Sequence, residues 1–109
     1  MDGIGSTKEN VMAASVGEHH EFTRMYPPFI DDAERENNTK AQRSFEWANE
    51  VEQVHHRAFE EALKAVNEGK QQKNESYYVC QVCGNTVPGA APDKCPVCGA
   101  PAKSFKKID

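Results

Sequence analysis

Two cysteine knuckles near the end of the chain constrain its fold more than any other feature. Cys80-x-x-Cys83-Gly84 is followed, after ten residues, by Cys95-Pro96-x-Cys98-Gly99. Each C-x-x-C-G forms a tight turn that points two sulfurs inward, and two such turns facing each other close a tetrahedron. The glycines let the backbone fold closely around a metal. These are the only cysteines, and all fall in the last 30 residues of 109. A disulfide-stapled secreted domain therefore fits poorly, and a metal site in a reducing compartment fits well. Four thiolates suit zinc or a single iron. Zinc would make the site structural, whereas iron would carry one electron with little change of ligation. Tyr78, Val79, Val82, Val87, Ala102 and Phe105 supply only a miniature core, so most of the stability of this unit must come from its metal.

Composition changes sharply near residue 70. We divide the chain into a two-helix segment (1–70), a polar linker (71–76) and a cysteine domain (77–109). Lys and Arg number 13 against 17 Asp and Glu, a formal net charge of −4. That balance argues against nucleic acid and against an anionic membrane surface as partners. No apolar run is long enough to span a bilayer, and no basic-then-apolar leader opens the chain, so a cytoplasmic location is expected.

Ser6 with Glu9 fits a capping box, with Thr7 as an alternative cap. Val11, Ala14, Glu18, Glu21, Met25 and Phe29 then recur at helical steps. Pro27-Pro28 should kink or end this helix, and the pattern resumes to about Glu36. Asn37-Asn38-Thr39 reads as a turn, with Asn38 or Thr39 capping a second helix. Phe45, Ala48, Glu52, His55, Phe59, Leu63 and Val66 form its stripe, and Gly69 is a natural C-cap. Two helices joined by a short turn make an antiparallel hairpin with no closed interior. A second copy of the chain is the simplest supplier of the missing helices, and a separate polypeptide is the other.

Charged residues interrupt both stripes. Glu18 and Glu21 share one helix face, and Glu52 and His55 share another. Carboxylates in such a setting need a partner or a metal. Glu-x-x-Glu opposite Glu-x-x-His supplies ligands of the kind di-iron bundles use, although such pairs also arise on solvated faces. Tyr26 is placed either to donate a hydrogen bond to a ligating carboxylate or to pack as a bundle-core aromatic. His19, His20 and His56 lie off the stripes and are expected to face solvent. Trp47 borders the stripe and is assigned no chemistry.

Taken together, these motifs resemble the rubrerythrins. Tyr78-Val79-Cys80-x-x-Cys83-Gly84, then Cys95-Pro96-x-Cys98-Gly99-Ala100-Pro101 and Phe105, looks like that family's rubredoxin-like domain. Gly17-Glu18-x-x-Glu21 before Met25-Tyr26-Pro27 looks like its third bundle helix, and Glu52-x-x-His55 before Phe59 looks like its fourth. Rubrerythrins carry two further helices ahead of this region, with another Glu and another Glu-x-x-His, so the chain resembles their C-terminal part. The implied fold is an all-α helical hairpin, half of a ferritin-like four-helix bundle completed by dimerisation, plus a small rubredoxin-like metal-bound β domain.

The resemblance also implies a function. Hydrogen peroxide is reduced to water at a di-iron carboxylate/histidine centre shared between the chains of a homodimer. Carried over residue by residue, Glu18, Glu21, Glu52 and His55 hold those irons, and Tyr26 stands beside them. Cys80, Cys83, Cys95 and Cys98 hold a mononuclear relay iron, which in the family serves the bundle of a neighbouring subunit. Electrons reach it from a redox protein or an NAD(P)H-dependent reductase. Two other readings compete: a rubredoxin-like electron carrier without peroxidase activity, and a zinc-ribbon-like interaction module with zinc in place of iron.

Overall fold

Ser6 starts the first helix. Its hydroxyl accepts from the Glu9 amide at 3.2 Å, and the Glu9 carboxylate accepts from the Ser6 amide at 2.7 Å, a reciprocal capping box. The computed structural model describes residues 3–70 and 75–108. Helix α1 spans Thr7–His20, a π-helical turn covers Glu21–Met25, and α2 spans Tyr26–Arg35.

The π-turn is how the chain accommodates its proline pair. Pro27 and Pro28 lack the amide hydrogens that a continuing helix uses. The Tyr26 amide bonds back to Glu21 O, and both prolines then fall in the first turn of α2, where amide hydrogens have no helical partner anyway. Thr23 Oγ1 donates to His19 O at 2.6 Å, a local bond that itself bends helices. The sequence predicts a kinked helix running to about Glu36; the structure shows a register shift just ahead of the prolines and a helical path that continues to Arg35.

Asn37 adopts a left-handed conformation, φ +55°, and closes the turn. Asn38 caps α3 (Thr39–Asn67), its side chain accepting from the Ala41 amide at 3.1 Å. At 29 residues, α3 runs about 43 Å. It ends in a Schellman motif: Gly69 at φ +69°, Lys70 N–H to Ala65 O at 2.8 Å, and Gly69 N–H to Val66 O at 3.1 Å.

α1 and α2 pack along α3. Ser15, Ala33 and Val51 are buried between elements, and Tyr26, Phe29 and Phe45 form an aromatic cluster with centroids 5.4–6.2 Å apart. The hairpin leaves Met12 46%, Val16 64% and Phe29 42% exposed, so apolar surface remains uncovered on its outer faces. No helix among the described residues is long and apolar enough to cross a membrane.

The cysteine domain is a three-stranded antiparallel sheet. β1 (Tyr77–Cys80) lies between β2 (Thr86–Pro88) and β3 (Phe105–Ile108), with Tyr78 opposite Val87 on one side and Lys107 on the other. A 3₁₀ turn at Ala102–Ser104 leads into β3. Of the stretch read as a linker, residues 71–74 lie outside the described residues.

Candidate metal centres

The two knuckles are built alike. Gly84 N–H donates to Cys80 O at 2.8 Å, and Gly99 N–H to Cys95 O at 2.9 Å. Both glycines take positive φ, +86° and +80°, which residues with a Cβ seldom adopt. One residue further, Asn85 O accepts from Cys80 N–H and Ala100 O from Cys95 N–H, at 2.8 and 2.7 Å. The turns bury Cys80 and Cys95 and leave Cys83 and Cys98 half-buried. Sγ of Cys80 lies 3.6 Å from that of Cys98, and Sγ of Cys83 lies 3.7 Å from that of Cys95. A disulfide needs about 2.05 Å. Metal–sulfur bonds of about 2.3 Å at tetrahedral angles place sulfurs about 3.8 Å apart. The donor set therefore fits a tetrahedral, thiolate-binding metal.

As free thiols the four are not equivalent. Burial pushes Cys95 up, but amides of Cys98 and Val97 donate to its sulfur and hold it down at about 7. Burial pushes Cys83 well above the ordinary thiol range, only partly offset by the Asn85 amide. Cys98 is also raised, again by burial first.

The second group sits where the hairpin meets the cysteine domain. Glu18 of α1, with Glu52 and His55 of α3, brings one ligand atom each within 4.8 Å of the others. His55 Nδ1 is 3.6 Å from Glu18 Oε1 and 3.5 Å from Glu52 Oε2, beyond good hydrogen-bond length. Nε2 lies 3.3 Å from Gly84 O and 3.2 Å from Thr86 Oγ1. A carbonyl can only accept, so the tautomer that satisfies Gly84 carries its proton on Nε2 and turns the Nδ1 lone pair toward the carboxylates. Three acceptors then converge with no donor among them, and Glu18 Oε2 is buried with no hydrogen bond. Such a group calls for a cation. A carboxylate-and-imidazole set suits iron, manganese or zinc, and a far N–H held by a backbone carbonyl is how metal-ligating histidines are oriented.

The other expected residues are placed differently. Glu21 is half-buried at the start of the π-turn and stands outside the Glu18–Glu52–His55 group. Tyr26 packs its ring against Phe29 and Phe45, and among the described residues no hydrogen bond joins it to a carboxylate. His19 and His20 are exposed, as expected. The solvent-facing expectation for His56 is overturned. It is half-buried, its Nδ1 reaches Ser15 O at 3.0 Å, and its ring contacts Phe22 and His19. Ser15 Oγ donates to Glu60, so a polar clasp fastens α1 to α3.

Sequence reasoning missed Gly84, Thr86 and Ser15 as partners of the two histidines, because each contact joins residues 29 to 41 positions apart. Within one chain, Gly84 touches His55, and Val51 Cγ1 lies 3.9 Å from where a Gly84 Cβ would stand. A mostly apolar cleft of about 400 Å³ opens beside this junction, lined by Glu18, His55, Ala58, Phe59, Tyr77 and Thr86 among others.

Comparison with known proteins matches both parts of the chain. The family model described as "Rubrerythrin" covers residues 3–63, and that described as "Rubrerythrin, rubredoxin-like domain" covers residues 78–106. Rubrerythrin-2 of Clostridium acetobutylicum is 34% identical over 105 residues, which is 94% of this chain and 57% of that protein. A putative rubrerythrin of Methanocaldococcus jannaschii is 38% identical over 106 residues, covering 94% of this chain and 52% of that protein. A solved structure of nigerythrin in a mixed-valence state superposes with a TM-score of 0.87 at 29% identity, over 99% of this chain and 52% of that one. The chain thus spans about half the length of the curated relatives it matches. The likeness runs through the helical hairpin and the cysteine domain alike, and the chain belongs to the rubrerythrin family.

Proposed function

We propose that the chain is a non-haem iron oxidoreductase that reduces hydrogen peroxide, with electrons relayed from iron held by Cys80, Cys83, Cys95 and Cys98. The observation that carries this reading is the two-sided contact of His55. One ring nitrogen faces the Glu18 and Glu52 carboxylates, and the other touches the carbonyl of Gly84, the peptide neighbour of Cys83. A ligand of one centre and the wall of the other are then linked by a single imidazole. Nigerythrin structures are described as mixed-valence and as fully reduced, all ferrous, which supports iron as the metal read here.

Iron held at Glu18, Glu52 and His55 would supply the one-electron chemistry by which one peroxide, two electrons and two protons become two waters. The chain's own residues do the rest. Cys80, Cys83, Cys95 and Cys98 occupy all four tetrahedral positions and leave peroxide no place there. The Gly84 carbonyl holds the proton on His55 Nε2 and keeps Nδ1 aimed at the carboxylates. Apolar walls of the adjoining cleft limit water around those carboxylates.

Three ligands do not complete a di-iron centre. In our reading a second copy supplies the rest, offering Glu18, Glu21, Glu52 and His55 twice, with Tyr26 beside them. The exposed Met12, Val16 and Phe29 support a covered hairpin face. Segment 1–70 then forms half the bundle, and 77–109 serves as a relay tethered by 71–76. A redox protein or NAD(P)H-dependent reductase donates electrons, in a reducing compartment such as the cytoplasm.

Metal content and mass in solution test this. A red dimer with about two irons per chain supports it. About one iron per chain, all thiolate-bound, would leave an electron carrier. A colourless chain with zinc would leave an interaction module.

A further inference from the structure

The two knuckles match in backbone bonding but differ at one side chain. Asn85 and Ala100 hold equivalent places. The carbonyl of each accepts from the first cysteine of its knuckle, and the amide of each donates to the second cysteine's sulfur, Asn85 N to Cys83 Sγ at 3.4 Å. At Ala100 a methyl fills the space. At Asn85 a whole carboxamide is enclosed, 2% exposed. Its Nδ2 lies 3.9 Å from Cys95 Sγ of the opposite knuckle, and its Oδ1 is buried with no hydrogen bond. An orphaned carbonyl is a cost that a leucine of similar shape would avoid, so packing alone does not account for asparagine here. A thiolate can only accept, which sets the amide with its NH₂ toward sulfur.

We infer that Asn85 sets the reduction potential of the four-cysteine centre by donating from its buried side chain to Cys95. The inference rests on the reading of iron in that centre. Adding one electron to iron in four thiolates makes the group one charge more negative, with no bond made or broken. The electron comes from the redox donor of the proposed reaction. A donor aimed at sulfur favours the more negative state and raises the potential. Through Asn85 both knuckles are also tied to one residue, since its main chain serves Cys80 and Cys83 while its side-chain amide serves Cys95.

The test is a redox titration of the iron-loaded full chain against Asn85→Leu. The expected result is a roughly tenfold weaker reduction equilibrium in the variant, about 59 mV lower for one electron. A red variant whose potential is unmoved overturns the inference and leaves the iron reading intact. A wild-type chain that takes up iron without thiolate charge-transfer bands sinks the iron reading itself. Should the leucine variant fail to fold, the wild-type chain loaded with cadmium-113 decides. A scalar coupling between the Asn85 side-chain NH₂ and the metal is expected, and its absence overturns the inference.

Discussion

His55→Ala removes a side chain that reaches both candidate centres, and its cost follows from the geometry. The Nε2 proton is shared between Gly84 O and Thr86 Oγ1, a half-buried bond contributing about 1 kcal/mol. The facing oxygens of Glu18 and Glu52 lie within 4.8 Å. Two like charges at that distance repel by about 3.5 kcal/mol at an effective dielectric of 20, and by about 0.9 kcal/mol in water. The wild-type ring stands beside both carboxylates and holds them apart, so truncation removes the spacer from a repelling pair. Truncation also admits water, which keeps the unrelieved share near 1–2 kcal/mol. The metal-free variant should therefore be about 2–3 kcal/mol less stable. Urea unfolding followed by far-ultraviolet circular dichroism measures this. Accessibility of the Cys83 thiol reports whether the cysteine domain has left α3. A change under about 0.5 kcal/mol, with Cys83 no more reactive than before, would refute the idea that His55 joins the two parts.

Other perturbations separate the parts of the account. Glu18→Gln should stabilise the metal-free chain by about 1 kcal/mol while weakening divalent-cation binding at the hairpin, read by unfolding with and without manganese. Gly84→Ala meets only ordinary contact with Val51, so its cost of about 1–2 kcal/mol should come from the +86° φ alone and appear as weaker retention of metal against a chelator. Stripping the metal from the cysteines should collapse the β-sheet resonances while helical circular dichroism persists, because α1–α3 are capped and packed independently of it.

Much of this architecture was legible because its signals are local. Ser6 with Glu9, Asn38 and Gly69 mark helix ends through bonds three to five residues long, and the structure makes each of them. The knuckles are equally local, since each C-x-x-C-G closes on itself. The convergence of Glu18 with Glu52 and His55 follows from two helical stripes facing each other. What escaped notice depends on helix rotation and docking. The π-turn that begins at Glu21 shifts the register of the residues after it, up to Tyr26, an effect that spacing counted on a regular helix misses. His56 lies off its stripe, yet the packing of α1 on α3 carries it onto Ser15. The seating of Gly84 on His55 joins two segments whose relative position no periodicity encodes.

In the proposed reading, electrons stored at the four cysteines reach the carboxylate site through the His55 junction. The most direct measurement mixes the iron-loaded, fully reduced protein with hydrogen peroxide and follows return of the thiolate-to-iron colour in a stopped-flow instrument. Rapid recovery is expected in the wild-type chain, with two electrons consumed per peroxide, and recovery slowed at least tenfold by Glu52→Ala, which leaves every cysteine in place. Recovery at the same rate in both proteins would contradict it.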